Sequence, residues 1–328
     1  MKIASFFSGA GGLDLGFTKS GFKLAFANDN WSGCWKTFEK NHGISINKKS
    51  ITDLSLKEIP KVAGFVGGPP CQSWSLAGKM RGIKDPRGKL FYSYIDMVSE
   101  KEPMFFLAEN VAGILTPRHR QEFMKLLRKF QKIGYNISFK LLNARDYGIP
   151  QERKRVFVIG YRDDLDKKFE FPKKQKKRLT LRDAIHDLPK PMPASLKNKT
   201  NGGKLKAPNN EYMNGGFSTI YMSRNRVRGW DDQSFTIQAG GRHAPIHPQA
   251  PKMVFIRRNK MGFVKGKESL YRRLSVRECA RIQTFPDDFI FYYDSVADGY
   301  KMVGNAVPVK LAEILANKIR KDLKDTIV

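Results

Sequence analysis

Cysteine and histidine are scarce. Three cysteines in 328 residues, Cys34, Cys71 and Cys279, are odd in number and far apart, which excludes a disulfide framework and gives no zinc-ligand spacing. Of the five histidines, His243 and His247 are four apart, but Pro245 lies between them and forbids a helical metal pair. The chain is therefore read as metal-free. No apolar run is long enough to span a bilayer. The first residues, Met1 to Phe7, run as a short strand into glycines, without the apolar stretch and cleavage site of a secretory leader. A cytoplasmic protein is expected. Acidic residues are also few, 31 against 60 lysines and arginines, for a net charge of +29. The excess is uneven: residues 1–160 carry +13, residues 161–270 +14 in a shorter stretch, and residues 271–328 only +2. A polyanion is the natural partner of such a surface, because neutralising phosphates releases counterions. A solvated basic surface is the plain alternative.

With 41% hydrophobic residues, the chain can bury a substantial core. Its first half alternates strands (3–7, 23–27, 62–66, 104–107, 137–142, 155–161) with helices (89–99, 118–132). This pattern predicts an α/β fold with a doubly wound, mostly parallel sheet. It breaks near residue 165. Residues 173–178 form a basic linker, and 189–216 are rich in Pro, Gly, Asn and Lys, which predicts a smaller, loop-dominated module. Ser275 and Glu278 have capping-box spacing. A last helix over 308–324 places Leu311, Ile314, Leu315, Ile319 and Leu323 on one face, as core packing does. The expected domains are 1–165, 166–272, and a C-terminal segment 273–328 that returns to the first.

Four constellations carry chemistry. Phe7-Ser8-Gly9-Ala10-Gly11-Gly12-Leu13 follows a strand and opens a helix, and Asp29 ends the next strand, where a carboxylate can grip a ribose hydroxyl pair. This marks a nucleoside cofactor without choosing between NAD and S-adenosylmethionine. Gly67-Gly68-Pro69-Pro70-Cys71 stiffens the backbone before a cysteine at a strand end, which suggests a nucleophile; a buried packing thiol is the alternative. Cys34 and Cys279 lack this context and are read as packing residues. Glu109, in Glu109-Asn110-Val111, leaves the next strand at the same sheet edge and could serve as acid or base, or simply as an ion-pair partner. In Gln151-Glu152-Arg153-Lys154-Arg155, Arg153 and Arg155 alternate on a strand, so two guanidinium groups are expected to face one site.

In this order the motifs resemble those of DNA cytosine-5 methyltransferases, over essentially the whole chain: Phe-x-Gly-x-Gly-Gly at 7–12, Pro-Cys-Gln at 70–72, Glu-Asn-Val at 109–111 and Gln-x-Arg-x-Arg at 151–155. Arg277 to Pro286 and Gly299 to Pro308 add two more. The resemblance implies the fold of S-adenosylmethionine-dependent methyltransferases and conversion of S-adenosyl-L-methionine to S-adenosyl-L-homocysteine. Phe7, Ser8, Gly9, Ala10, Gly11, Gly12, Leu13, Asp29, Asn30, Trp31, Ser50, Ile51 and Pro70 would contact the cofactor, with Asn305, Ala306 and Val307 completing its pocket. Ser50 stands where relatives commonly carry an acid for the adenine amine; Asp53 is near but out of register. Cys71 would add to cytosine C6, Glu109 in protonated form would donate to N3, and Arg155 would hold O2 with Arg153 in support.

A ring attacked at C6 cannot stay stacked in a duplex, so base flipping is implied. The segment Gly78–Lys89 reads as a basic loop closing over DNA, with Gln72, Ser75, Lys79, Arg81 and Arg87 as DNA contacts. Within 165–270, Arg226, Arg228 and Arg242 are the candidates for reading guanine, phosphate contact being the alternative. That stretch resembles GGCC-modifying bacterial members, so a short G·C-rich palindrome in double-stranded DNA is expected. A restriction-modification role, a companion endonuclease and a monomeric state follow from the same resemblance. Competing readings are a tRNA cytosine-5 methyltransferase on the same scaffold, a silent DNA-binding regulator, and a nicotinamide oxidoreductase.

Overall fold

Four strands are buried along nearly their whole length, as strands covered on both faces must be: Lys2–Phe6 (β1), Gly64–Gly67 (β3), Phe105–Val111 (β4) and Lys154–Arg162 (β6). Lys23–Asn28 (β2) and Tyr135–Asn143 (β5) mix buried and exposed positions and form the two edges. The sheet order is β2-β1-β3-β4-β6-β5. Neighbours from β2 to β4 pair parallel, whereas β6 runs antiparallel to both β4 and β5. The computed structural model describes residues 1–70 and 86–324, with the backbone alone at 86–88.

Helices Gly12–Lys19 (α1), Ser32–His42 (α2), Pro86–Lys101 (α3) and Pro117–Lys132 (α4) follow strands β1, β2, β3 and β4. Side-chain alternation assigns the faces. Phe106 of β4 stacks on Phe130 of α4 at 4.0 Å between ring centroids, within a core that includes Phe91, Tyr94 and Val98 of α3 and Val156 and Val158 of β6. Its neighbour Phe105 faces the other way, onto Phe17 of α1 and Phe22. The last helix, Val309–Leu323 (α8 in chain order), meets that second face. Its Asp322 accepts from the Tyr161 hydroxyl at 2.9 Å, and Arg320 Nη1 donates to Ser20 O at 2.8 Å. Leu311, Leu315, Ile319 and Leu323 are fully buried there and Ile314 is half-buried. The sheet is thus doubly wound, as expected.

The chain divides into two compact units. The first comprises Met1–Asn143, Lys154–Lys174 and the helix from Leu311 onward; the second comprises Ala144–Arg153 and Gln175–Lys310. Residues 273–310 therefore group with the loop-rich unit, and only the final helix groups with the sheet. The second unit is built from short pieces. Leu181–Ile185 (α5), the two-residue strands Met192–Pro193 (β7) and Glu211–Tyr212 (β8), and the hairpin Val254–Arg257 (β9) and Lys260–Gly262 (β10) precede helices Val276–Ile282 (α6) and Val296–Asn305 (α7). It has its own core of Tyr221, Val227, Ile246, Ala250, Met253 and Tyr271. The capping box is present at α6: Glu278 N donates to Ser275 Oγ at 3.0 Å, and Ser275 N donates back to Glu278 Oε2 at 2.7 Å. Cys34 and Cys279 are fully buried. Among the described residues, no group of His, Cys, Asp and Glu could hold a metal ion, and no helix is long and apolar enough to cross a membrane.

Asp14 of α1 is completely buried. Burial pushes its carboxyl from 3.8 up to about 7, against the opposing pull of the Ser5 hydroxyl. A raised acid binds more protons folded than unfolded, so its contribution is full below the ordinary carboxylate range and is lost as pH rises through about 7. His42 and His247, each lowered to about 4 by burial, act in the opposite sense and cost stability as pH falls below 6.5. The difference between wild type and Asp14→Asn isolates the carboxyl. Relative to Asp14→Asn, wild type should lose on the order of 2 kcal/mol between pH 5 and 7. Urea unfolding at several pH values measures it, and parallel profiles for the two proteins would refute it.

Candidate active site

The in-register ends of three parallel strands create the site. Phe6 of β1 lies opposite Gly67 of β3, and Gly67 lies opposite Ala108 of β4. Phe7, Gly68 and Glu109 therefore follow side by side, Phe7 and Gly68 leaving the sheet and Glu109 continuing β4. Strand order turns outward in both directions from β1 and β3, and ligands of open α/β sheets bind beyond the carboxyl ends at such a point.

The glycine loop takes left-handed backbone at Phe7, Gly9 and Gly11, with φ of 55°, 56° and 86°. At Gly11 the sequence has no alternative, because a Cβ would sit 1.9 Å from His42 Nε2. At Gly9 a Cβ would meet nothing within 4 Å, so the backbone there faces open space. Helix α1 begins at Gly12 behind Gly11, which caps it without a side chain; the amides of its first turn suit an anionic group. Asp29 braces this loop: its Oδ2 accepts from Gly9 N and its Oδ1 from Trp31 N, both at 2.8 Å. Asn30 and Trp31 lie in the turn between Asp29 and α2. Ser50 Oγ is 2.9 Å from Thr52 Oγ1, which donates to Asp53 Oδ1 at 3.0 Å, so Ser50 connects through Thr52 to the acid out of register. Ile51 belongs to the sheet core. An open glycine cradle, a helix N-terminus and a carboxylate fit a nucleoside cofactor with a charged tail.

At the next strand end, Asn110 Nδ2 donates to Pro69 O at 3.2 Å, and Asn110 Oδ1 accepts from Val111 N at 2.8 Å. Asn110, quoted above only as part of a motif, thus steadies the backbone that leads through Pro70. Cys71, Gln72, Ser75, Lys79 and Arg81 lie outside the described residues, as does most of the 78–89 loop; so does the side chain of Arg87. Glu109 and Arg155 meet across the antiparallel pair β4–β6: Arg155 Nε lies 2.9 Å from Glu109 Oε1, with both side chains largely buried. Burial lowers the Arg155 guanidinium, and Glu109 opposes that shift. The two groups assigned to N3 and O2 of one pyrimidine are therefore neighbours on one face of the sheet.

Arg153 has partners of its own. The expected alternation fails because β6 begins at Lys154, one residue later, and Arg153 groups with the second unit. Its guanidinium, 1% exposed, donates to Ile237 O, Gly304 O and Ala306 O, each at 2.9 Å. Gln283 Nε2 donates to Val303 O at 2.9 Å and to Ala306 O at 3.1 Å, and its Oε1 accepts from Gln151 Nε2 at 2.8 Å. Gln151 Oε1 accepts from Ile237 N at 2.9 Å. Arg153 is thus the centre of a buried polar knot that fixes the turn after α7, where Asn305 is exposed and Ala306 and Val307 follow. Sequence reasoning missed Gln151 and Gln283, although both lie in quoted motifs.

The three arginines proposed as guanine readers all belong to the second unit. Arg226 lies over the Tyr221 ring at 4.6 Å and donates to Tyr221 O and Ile220 O. Arg228 lies over Phe235 at 4.3 Å and donates to Glu152 Oε2 at 2.8 Å. Arg242 is exposed, on a single 3-10 turn.

A family profile described as C-5 cytosine-specific DNA methylase matches residues 1–321. The chain is 68% identical to the type II methyltransferase M.MthTI of Methanothermobacter thermautotrophicus, over 99% of this chain and 98% of that protein. It is 54% identical to M.FnuDI of Fusobacterium nucleatum, over 99% and 96%. Among solved structures, a putative DNA modification methyltransferase encoded within an E. coli prophage superposes with a TM-score of 0.74 at 24% identity, covering 99% of each chain. An Entamoeba histolytica methyltransferase superposes at 0.69 and 17% identity, covering 100% of this chain and 99% of that one; at such identities the likeness is one of fold. Profile, full-length relatives and motif order agree: the chain belongs to the C-5 cytosine-specific DNA methylase family and is a DNA (cytosine-5-)-methyltransferase.

Proposed function

We propose that this chain is the modification enzyme of a type II restriction-modification system, methylating an internal cytosine of a GGCC-like palindrome in double-stranded DNA. The adjacency of Glu109 and Arg155 at the carboxyl end of β4 is the observation that carries the chemical part of this reading. Cytosine C5 is a weak nucleophile while the ring is aromatic. Addition of the Cys71 thiolate to C6 breaks the aromaticity as Glu109 donates a proton to N3 and Arg155 holds O2. C5, now enamine-like, takes the methyl group; a base then removes the C5 proton, the Cys71–C6 bond breaks and N3 returns its proton to Glu109, restoring the ring, the thiolate and the acid. Bound S-adenosylmethionine supplies an electrophilic methyl group on a sulfonium sulfur. The loop 7–13, Asp29 to Trp31, Ser50, Ile51 and Pro70 hold it in this reading, and the motif at 305–307 is assigned to it by resemblance.

The target base leaves the stack, at a cost of about a few kcal/mol that phosphate contacts offset. Residues 166–272 read the site, and the enzyme works in the cytoplasm as a monomer, with a companion endonuclease cutting the same sequence. Bisulfite sequencing of plasmid DNA from an expressing host should show complete conversion-resistance at one cytosine of every GGCC and at no other tetranucleotide. Resistance at other sequences would overturn the site. Methyl transfer to tRNA but not to duplex DNA would overturn the substrate.

A further inference from the structure

Glu152 has been given no role in the Gln-x-Arg-x-Arg motif, yet both its backbone and its side chain are held by hydrogen bonds. Its N–H donates to Ser234 O at 2.9 Å and its carbonyl accepts from Thr236 Oγ1 at 2.5 Å, while Gln151 beside it bridges to Ser234. From this fixed root its carboxylate reaches two arginines. Arg145 Nη1 pairs with Oε1, and Arg228 Nη2 donates to Oε2 at 2.8 Å. The Arg228 guanidinium also lies over the Phe235 ring. All five side chains lie in the second unit.

We propose that Glu152 is a specificity-setting residue that acts through Arg228, by competing with the DNA base for its guanidinium. The inference rests on the reading of Arg228 as a guanine contact. Its place over the Phe235 ring and its bond to Glu152 restrict the guanidinium, so less freedom remains to be lost on binding. The carboxylate, however, occupies a donor that bidentate recognition needs. Arg228 must exchange a charge-assisted bond for whatever the base edge offers. Guanine offers two acceptors, O6 and N7. Adenine offers one acceptor beside a donor, and returns less than was given up. Arg145 stays on Glu152 after the exchange, so the carboxylate is not left unpaired. Without Glu152, Arg228 would be open to any phosphate or single acceptor, and wrong sites would be penalised less.

The test compares wild type, E152Q, R228A and the double variant E152Q/R228A. Substrates are a duplex carrying the site mapped by bisulfite sequencing and duplexes with one guanine of it changed to adenine. Glutamine keeps the shape of Glu152 and removes its charge. For E152Q, the ratio of kcat/KM between cognate and altered duplex should fall about tenfold at one guanine position, the scale of a bidentate base contact. Affinity for random duplex should rise severalfold. In the R228A background, E152Q should change neither quantity. An unchanged ratio in E152Q beside a lowered ratio in R228A overturns the inference. So does an equal loss by E152Q on every duplex in both backgrounds, which is the mark of a merely structural role. Wild-type discrimination in R228A removes the guanine reading of Arg228 and this inference with it, while methylation at the mapped site still identifies the enzyme's target.

Discussion

Cys71→Ser should lower kcat by about 10³-fold or more, the scale expected when a reaction loses its nucleophile. Oxygen is a poor substitute here. At neutral pH a few per cent of an ordinary thiol is already thiolate, and sulfur is intrinsically far more nucleophilic toward a polarised carbon than a serine hydroxyl. The decisive substrate is a duplex with 5-fluorocytosine at the target. Addition at C6 and methylation at C5 proceed, but fluorine cannot leave as a proton does, so the bond from Cys71 to C6 persists. Wild type should therefore accumulate a complex that survives boiling in detergent, dependent on S-adenosylmethionine, with the peptide containing Cys71 bearing the label. Cys71→Ser should accumulate none. Trapping at Cys34 or Cys279 would be a clear refutation; both are buried packing residues.

What could be read from residues alone divides along a physical line. The central strands were legible because burial on both faces forces continuous apolar runs, as in Phe105-Phe106-Leu107-Ala108. The strand Met104 to Leu107 was drawn too short, however. Glu109 and Asn110 are polar, yet they continue β4 to Val111 because each finds a partner there: Arg155 for one, Pro69 O for the other. The glycine loop and Asp29 were legible because few residues tolerate positive φ and few turn positions need a carboxylate. The orientation of β6 lay in plain sight. Ten residues, Ala144–Arg153, separate it from β5, fewer than the dozen or so that a parallel crossover needs. The roles of Gln151, Glu152 and Gln283 were not legible. Each has a partner more than 75 positions away in sequence, and no local pattern encodes a contact at that separation.

Arg153 shows how far a strand-register argument can mislead, and its replacement gives the second large effect. Arg153→Met keeps much of the side-chain volume but removes the guanidinium that donates to Ile237 O, Gly304 O and Ala306 O inside the second unit. Gln283 still reaches Ala306 O, so two carbonyls lose their guanidinium partner outright and one is weakened. At about 1–3 kcal/mol for each buried acceptor left unsatisfied, the variant should lose about 3–5 kcal/mol of stability. For a protein of this size, that is a fall of about 10 °C in Tm. Arg155→Met offers the contrast. It strips Glu109 of its neighbour at the proposed reacting centre while the polar knot stays whole. Calorimetry should therefore show the larger thermal loss in Arg153→Met, and turnover at 15 °C the larger kinetic loss in Arg155→Met. Were Arg153 a catalytic group facing the pyrimidine, the order would reverse: turnover would collapse in Arg153→Met with its melting transition unmoved. On this proposal two arginines, two residues apart in one motif, separate into a group that holds the chain and a group that faces the chemistry.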